Sequence, residues 1–306
     1  MPLPPRGGRS PGKVRWVSRR LIINADDYGL TLGVSAAIVD AHRRGVVTST
    51  SVLTLAPAFS ATAPWLHSCS RLGTGLHLAL VGEDPPTLSA AEIPTLVTRG
   101  GRLHESWRTL LPCLAAGRVD LDDVRRELSA QHAAFTSAGL VASHLDSHQN
   151  LHLWPSMATV VIDLARAWGV SAVRLPGAHG HGPAARGVRG LARRLRRRLD
   201  QAGMAHADAC LGLDESGHLD LPAWTGLLAH LEDLPAGSVV EVGCHPGADE
   251  DPARQRYRWG FSWSQEHRAL TDPGLREAIA DADFELVSYV DLVSGSVETP
   301  NGDLRE

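Results

Sequence analysis

The apolar run Leu21-Ile22-Ile23-Asn24-Ala25 stops on two adjacent carboxylates, Asp26 and Asp27, followed by Tyr28-Gly29. A short strand ending in acids delivers them at its carboxyl end, which is where α/β proteins assemble their sites. Neighbouring carboxylates at a buried strand end repel each other and lose hydration, so the pattern calls for a compensating charge, and a divalent cation is the usual one. The same acids would serve as a capped turn or helix N-terminus, a reading these residues alone leave open.

Strand-like and helix-like segments then alternate along the chain. Strands are predicted at Leu21–Ala25, Val46–Leu55, Gly73–Leu80, Ala142–Asp146, Ala172–Leu175 and Ser238–Cys244. Helices are predicted at Val34–Arg43, Phe59–Ser68, Leu121–Ala138, Pro155–Trp168, near Ala184–Ala202 and at Leu221–Leu234, with a final strand and helix over Phe284–Val293. Strands separated by helical crossovers imply a parallel sheet. About seven such units in 306 residues predict an α/β fold with one domain, a closed or nearly closed (β/α) barrel, with a doubly wound open sheet as the alternative. Residues 1–20 carry six cations and no acid and lack the apolar centre of a secretory signal, so they read as a disordered basic leader. The domain is expected over 21–293, with a tail over 294–306.

Charge removes whole classes of partner. Without the leader, 24 basic face 34 acidic residues, and such a body repels phosphate backbones, which argues against nucleic acid. The run Arg193-Arg194-Leu195-Arg196-Arg197-Arg198 reads as the solvated face of an amphipathic helix. The chain's only lysine, Lys13, lies in the leader, so neither a Schiff base nor a P-loop lysine is available to the body. No apolar run approaches the roughly 20 residues of an integral membrane segment. Cys69, Cys113, Cys210 and Cys244 show no Cys-x-x-Cys spacing and fit a reducing, cytoplasmic setting.

Ligand-type residues recur where strands end. His77 lies in the strand-like segment Gly73–Leu80, and His245 follows the apolar segment Val239–Cys244 before a Pro-Gly turn. Between them, His144, Asp146, His148, Asn150 and His152 occupy alternate positions, the period of an extended chain, so all five are predicted on one face. The Pro-, Gly- and acid-rich stretch Val81–Gly101 and the aromatic stretch Gly247–Trp263 follow such strand ends and are expected to form a rim.

The set Asn24-Ala25-Asp26-Asp27-Tyr28-Gly29, Gly75-Leu76-His77, His144-Leu145-Asp146-Ser147-His148-Gln149-Asn150-Leu151-His152 and His245-Pro246-Gly247 resembles the YdjC-like carbohydrate deacetylase family, in the family's order, from about Arg20 to Val293. The resemblance implies a variant (β/α) barrel of the glycoside hydrolase/deacetylase type. It implies metal-dependent removal of an N-acetyl group from a sugar, oligosaccharide or glycolipid, with one divalent ion, Mg2+ or Zn2+. By position it suggests Asp27, His77 and His148 as metal ligands and Asp26 as general base. His245 is the candidate acid, with His152 second, and Asp146 and His144 are expected to orient imidazoles. Relatives often carry His at position 150, so Asn150 takes no metal role. Trp259, Phe261, Trp107 and Arg258 are expected against the carbohydrate. A small-molecule partner is implied, and a homodimer is left open. Alternative readings are a metal-dependent sugar-binding protein without turnover, or a metal-dependent phosphoesterase or sugar isomerase on the same barrel.

Overall fold

The computed structural model describes residues 18–231 and 234–295. The expected leader up to residue 17, the expected tail from residue 296, and Glu232 and Asp233 at the end of the predicted helix Leu221–Leu234 lie outside the described residues. Among the described residues seven strands, β1 (Arg19–Tyr28), β2 (Ser49–Val52), β3 (Gly73–Leu78), β4 (Leu145–Ser147), β5 (Ala209–Leu211), β6 (Val239–Cys244) and β7 (Phe284–Leu286), form one sheet in the order β4-β3-β2-β1-β6-β5, with β7 on the start of β1. Every ladder is parallel, as the intervening helices require. The helices are α1 (Leu32–Arg43), α2 (Phe59–Leu66), α3 (Trp107–Ala115), α4 (Leu121–Ser137), α5 (Pro155–Trp168), α6 (Pro183–Ala202), α7 (Leu221–Leu231), α8 (Trp263–Thr271), α9 (Pro273–Asp281) and α10 (Tyr289–Gly295).

Beyond β4, single bridges from Leu145 to Val173 and from Ala172 to Ala205 carry the sheet toward β5. It thus curls into a barrel-like form rather than lying open. The strand expected at Ala172–Leu175 is reduced to these bridges, because Pro176 follows it and has no N–H to extend a ladder. In contrast, β1 begins at Arg19, inside the stretch expected as leader. Arg19 is held there by bonds to the carbonyls of Leu231 (3.0 Å) and Ala282 (2.6 Å) and by the face of the Phe284 ring.

The period of two along β1 sets what the barrel contains. Leu21, Ile23 and Ala25 face outward into the main apolar core beneath the helices. Ile22 faces inward and joins a second cluster with Ala172, Val239 and Tyr289. Further along the same inner face come Asn24 and Asp26, all but excluded from solvent. On β6, Val239 in the inner cluster is likewise followed by buried Glu241. The interior therefore passes from apolar at the strands' amino ends to polar at their carboxyl ends.

Candidate metal and catalytic site

Strict alternation would send Asp26 and Asp27 to opposite faces of β1. Instead the register against β2 shifts between Ala25 and Tyr28, and Asp27 adopts φ 66°. Left-handed backbone costs a non-glycine residue of order 1 kcal/mol, least for Asp and Asn, and persists where surrounding structure imposes it. The bulge turns both carboxylates into one cleft of about 330 Å³.

Three side chains converge there. Asp27 Oδ1 lies 3.2 Å from Nδ1 of His148 and 3.6 Å from Nε2 of His77. It is sealed from water and, among the described residues, accepts no hydrogen bond of good geometry, an unusual state for a buried carboxylate oxygen. His77 pairs through Nδ1 with Asp146 Oδ1 at 2.8 Å, which leaves Nε2 turned toward Asp27 in the carboxylate–histidine arrangement common behind metal ligands. Burial would raise the Asp27 pKa, but His148, His77 and His245 bring it down to about 2, so this carboxylate is ionised at neutral pH. Burial alone would lower His77, whereas Asp146, with Asp26 and Asp27 behind it, holds its pKa at about 9.

One ligand atom each from Asp27, His77 and His148 fall within 4.8 Å of one another, and the same holds for Asp26, His77 and Asp146. The second group is spoken for: Asp146 Oδ1 serves His77, while Oδ2 accepts from Ser51 (2.8 Å) and Arg174 (2.7 Å). The orphaned oxygen belongs to the first group. Asp27, His77 and His148 accordingly fit a divalent cation, with one carboxylate and two imidazoles on one side and the cleft on the other.

The pattern of residues gave no sign of Arg174, which organises the interior. Its guanidinium donates to both oxygens of Asp26 at 2.7 Å, meets Asp146 at 2.7 Å and gives Nε to Glu241 at 2.7 Å. Asn24 adds a bond to Asp26 Oδ1 (2.8 Å) and another to Ser51 (2.8 Å), and the Tyr289 hydroxyl donates to Glu241. Four buried carboxylates thus gather around one guanidinium, an excess of negative charge that favours a cation in place of the His77 Nε2 proton.

The segment expected to run extended from His144 to His152 does not. It leaves β4 at Ser147 and turns into a 3-10 helix over His148–Leu153, with Gln149 and Asn150 left-handed at φ 54° and 53°. Ser147 Oγ closes the turn by accepting the His152 N–H at 2.9 Å. His148 and Asn150 consequently line the cleft, whereas His152 does not: its ring sits between Ser147 Oγ (2.6 Å) and the Arg174 carbonyl (3.1 Å). Burial holds its pKa near 4, and the pKa of His144, stacked on Tyr289 at 3.8 Å, near 3. Gly75 makes room for His144, since a Cβ there would stand 2.3 Å from its ring.

His245 borders the cleft with Nε2 4.0 Å from Asp26 Oδ2 and Nδ1 buried without a hydrogen-bond partner among the described residues; its backbone N–H is fixed by Glu266. Trp107, Trp259 and Phe261 line the cleft as well, Trp259 anchored by an indole bond to Glu83 (2.9 Å) across the two rim stretches. The expected contact Arg258 is exposed and is not among the residues lining the cleft, because the turn before Gly260, at φ 75°, points it to solvent while its neighbour Trp259 faces in.

Comparison with known proteins follows the same residues. The family model described as YdjC-like protein matches residues 20–281. A carbohydrate deacetylase of Brevibacillus brevis is 27% identical over 89% of this chain and 99% of its own length. A chitooligosaccharide deacetylase of Proteus mirabilis is 31% identical over 89% and 98%, and a carbohydrate deacetylase of Mus musculus 32% identical over 90% and 95%. Among solved structures, a candidate cellobiose-phosphate cleavage protein of Enterococcus faecalis V583 superposes with a TM-score of 0.73 at 28% identity, covering 90% of this chain and 99% of that one.

Proposed function

The chain belongs to the YdjC-like family, and from that premise we propose that it is a metal-dependent hydrolase that removes the N-acetyl group from an N-acetylated sugar. The observation that carries this reading is the unpartnered Asp27 Oδ1 between two imidazoles, with a second, tethered carboxylate beside it. Asp27, His77 and His148 would hold one divalent ion; two imidazoles suit Zn2+ better than Mg2+, which favours oxygen ligands. Such an ion supplies Lewis acidity toward an amide carbonyl and eases deprotonation of water.

The remaining work falls to the chain's own groups. Asp26 faces the cleft and takes the proton of the attacking water as the new C–O bond forms. Arg174 and Asn24 fix its oxygens, so little orientational freedom is lost on reaction. When the C–N bond breaks, the departing nitrogen needs a proton, which His245 is placed to give, 4.0 Å from Asp26. A protein that only bound sugar would have no use for Asp26 in this position, which favours turnover over mere binding.

Two measurements test the reading. Acetate release from a panel of N-acetylated mono- and oligosaccharides should vanish on chelation and return with Zn2+ or Mg2+; release indifferent to chelator, or none across the panel, sinks it. His245→Ala should slow amide cleavage about 10²-fold or more yet barely change cleavage of an activated acetate ester, whose leaving group needs no proton. Equal losses on both substrates would remove His245 from the acid role.

A further inference from the structure

One buried acid, Glu266, belongs neither to the metal triad nor to the lining of the cleft. It stands in the first turn of α8, fully excluded from solvent, and no arginine or lysine among the described residues acts on it. Its two oxygens accept backbone N–H groups, Oε2 from His245 at 2.5 Å and Oε1 from Leu219 at 3.2 Å. Those bonds and the amino end of α8 offset part of the cost of burying a carboxylate, which runs to several kcal/mol per ion. Two N–H groups do not by themselves call for a charge, since a neutral oxygen satisfies them. The cationic groups that act on Glu266 are imidazoles, His245 foremost and His218 more weakly; burial pushes its carboxyl up, and the charge of His245 draws it back.

His245, in turn, lacks the acceptor that a buried imidazole ordinarily has. Nδ1 is sealed and has no hydrogen-bond partner among the described residues, while Nε2 lies 4.0 Å from Asp26. The ring is packed instead by Phe261, centred 4.8 Å away, in space left by Gly217, where at φ 78° a Cβ would collide with the Phe261 ring. Ring and backbone of His245 are thus held from one segment, Phe261–Glu266.

Resting on the deacetylase reading and on His245 as its acid, we propose that Glu266 is the positioning residue of that acid: it sets the backbone from which the imidazole enters the cleft and supplies the negative charge that favours the doubly protonated ring. As the C–N bond breaks, its electron pair stays on nitrogen and the proton passes from His245 Nε2 to that nitrogen, so the ring carries a second proton on Nδ1 throughout. With no acceptor on Nδ1, a carboxylate fixed to the same residue's backbone is what stabilises that state. The neutral ring left behind faces Asp26, which holds the proton taken from water and returns it to Nε2.

The test compares two leaving groups on the full, metal-loaded chain: the amide of the best N-acetylated sugar in the panel, and 4-nitrophenyl acetate, whose phenolate departs without a proton, followed as its chelator-sensitive hydrolysis. Glu266→Gln keeps the volume and one acceptor but no charge. It should lower kcat on the amide about tenfold or more, leave ester hydrolysis within about twofold, and leave KM and metal content unchanged. Glu266→Asp, which keeps the charge but reaches less far, should show the same selectivity with a smaller loss, and decides alone if the Gln variant does not fold. The ratio of the two rates does not depend on how much of a preparation is folded. Equal losses on both substrates, or none on either, would mean that Glu266 only caps backbone groups; the proposal is then overturned while the deacetylase reading stands. If His245→Ala itself shows no selectivity, the acid assignment falls and this proposal with it, and absence of acetate release from every amide ends the reading as a whole.

Discussion

Asp27→Asn is expected to lose bound metal and acetate release together, whereas Asp26→Asn keeps the metal and loses turnover. The two residues are adjacent, both buried, and both border the same cleft, so sequence position alone does not tell them apart. Their partners do. Asp27 offers an oxygen that accepts no hydrogen bond among the described residues, beside two imidazole nitrogens. Asp26 has both oxygens taken by Arg174 and faces His245. An amide in place of Asp27 removes the only anionic ligand of the triad, so metal content should fall from about one ion per chain to background, and activity by about 10³-fold or more. An amide in place of Asp26 removes a proton acceptor and leaves the triad intact, with an expected loss of about 10²–10⁴ in kcat and unchanged metal content. Metal analysis of the two purified variants beside their initial rates settles the assignment. Retention of metal by Asp27→Asn, or wild-type turnover by Asp26→Asn, would reverse it.

The acids and the imidazole of His245 were legible because strand ends announce themselves: an apolar run that halts on Asp or His places that residue at the sheet's carboxyl edge, and β1 and β6 follow this rule, whereas His77 lies one residue inside the end of β3 with Leu78 after it. Alternation was a poorer guide to His144–His152. A period of two holds only while the backbone stays extended, and two consecutive left-handed residues, Gln149 and Asn150, break it. Arg174 was missed for a different reason. One arginine after Ala172-Val173 carries no spacing signal, and its importance comes from Asp26, Asp146 and Glu241, which lie far off in sequence and meet only in the folded barrel. Helix α9 shows a signal present but unread, since Asp272 caps it and Pro273 opens it, an ordinary start pattern. Helix α3 carries Pro112 inside, which hides its period from a reading that treats proline as a breaker.

Replacing Arg174 should therefore have consequences out of proportion to one residue. Arg174→Met keeps most of the volume but leaves Asp26, Asp146 and Glu241 without their shared counter-charge in the protein interior. Removing one partner from a buried ion network costs about 3–5 kcal/mol, which for a domain of this size corresponds to roughly 10 °C or more in Tm. Arg174→Lys retains the charge, yet a single ammonium cannot meet three carboxylates with a planar fork. It should recover much of the stability while kcat stays depressed, because Asp26 is no longer held by two parallel bonds. The pH dependence separates this account from a simple packing defect. Burial pushes the Glu241 carboxyl up and Arg174 pulls it back; for Asp146 the Arg174 charge, with that of His77, prevails over burial and holds the carboxyl well below the usual range. With the guanidinium gone, burial acts unopposed by it, and the folded state binds protons more readily than the unfolded chain. Stability of the Met variant relative to the native chain should then rise as pH falls through those raised values. Denaturant unfolding of metal-free protein at pH 8 and pH 5.5 reads this directly. The Arg174 charge also helps burial hold the pKa values of His144 and His152 down, so its removal eases their protonation and adds to the same relative gain on acidification. A deficit that is small, or the same at both pH values, would mean that Arg174 fills space rather than balances charge.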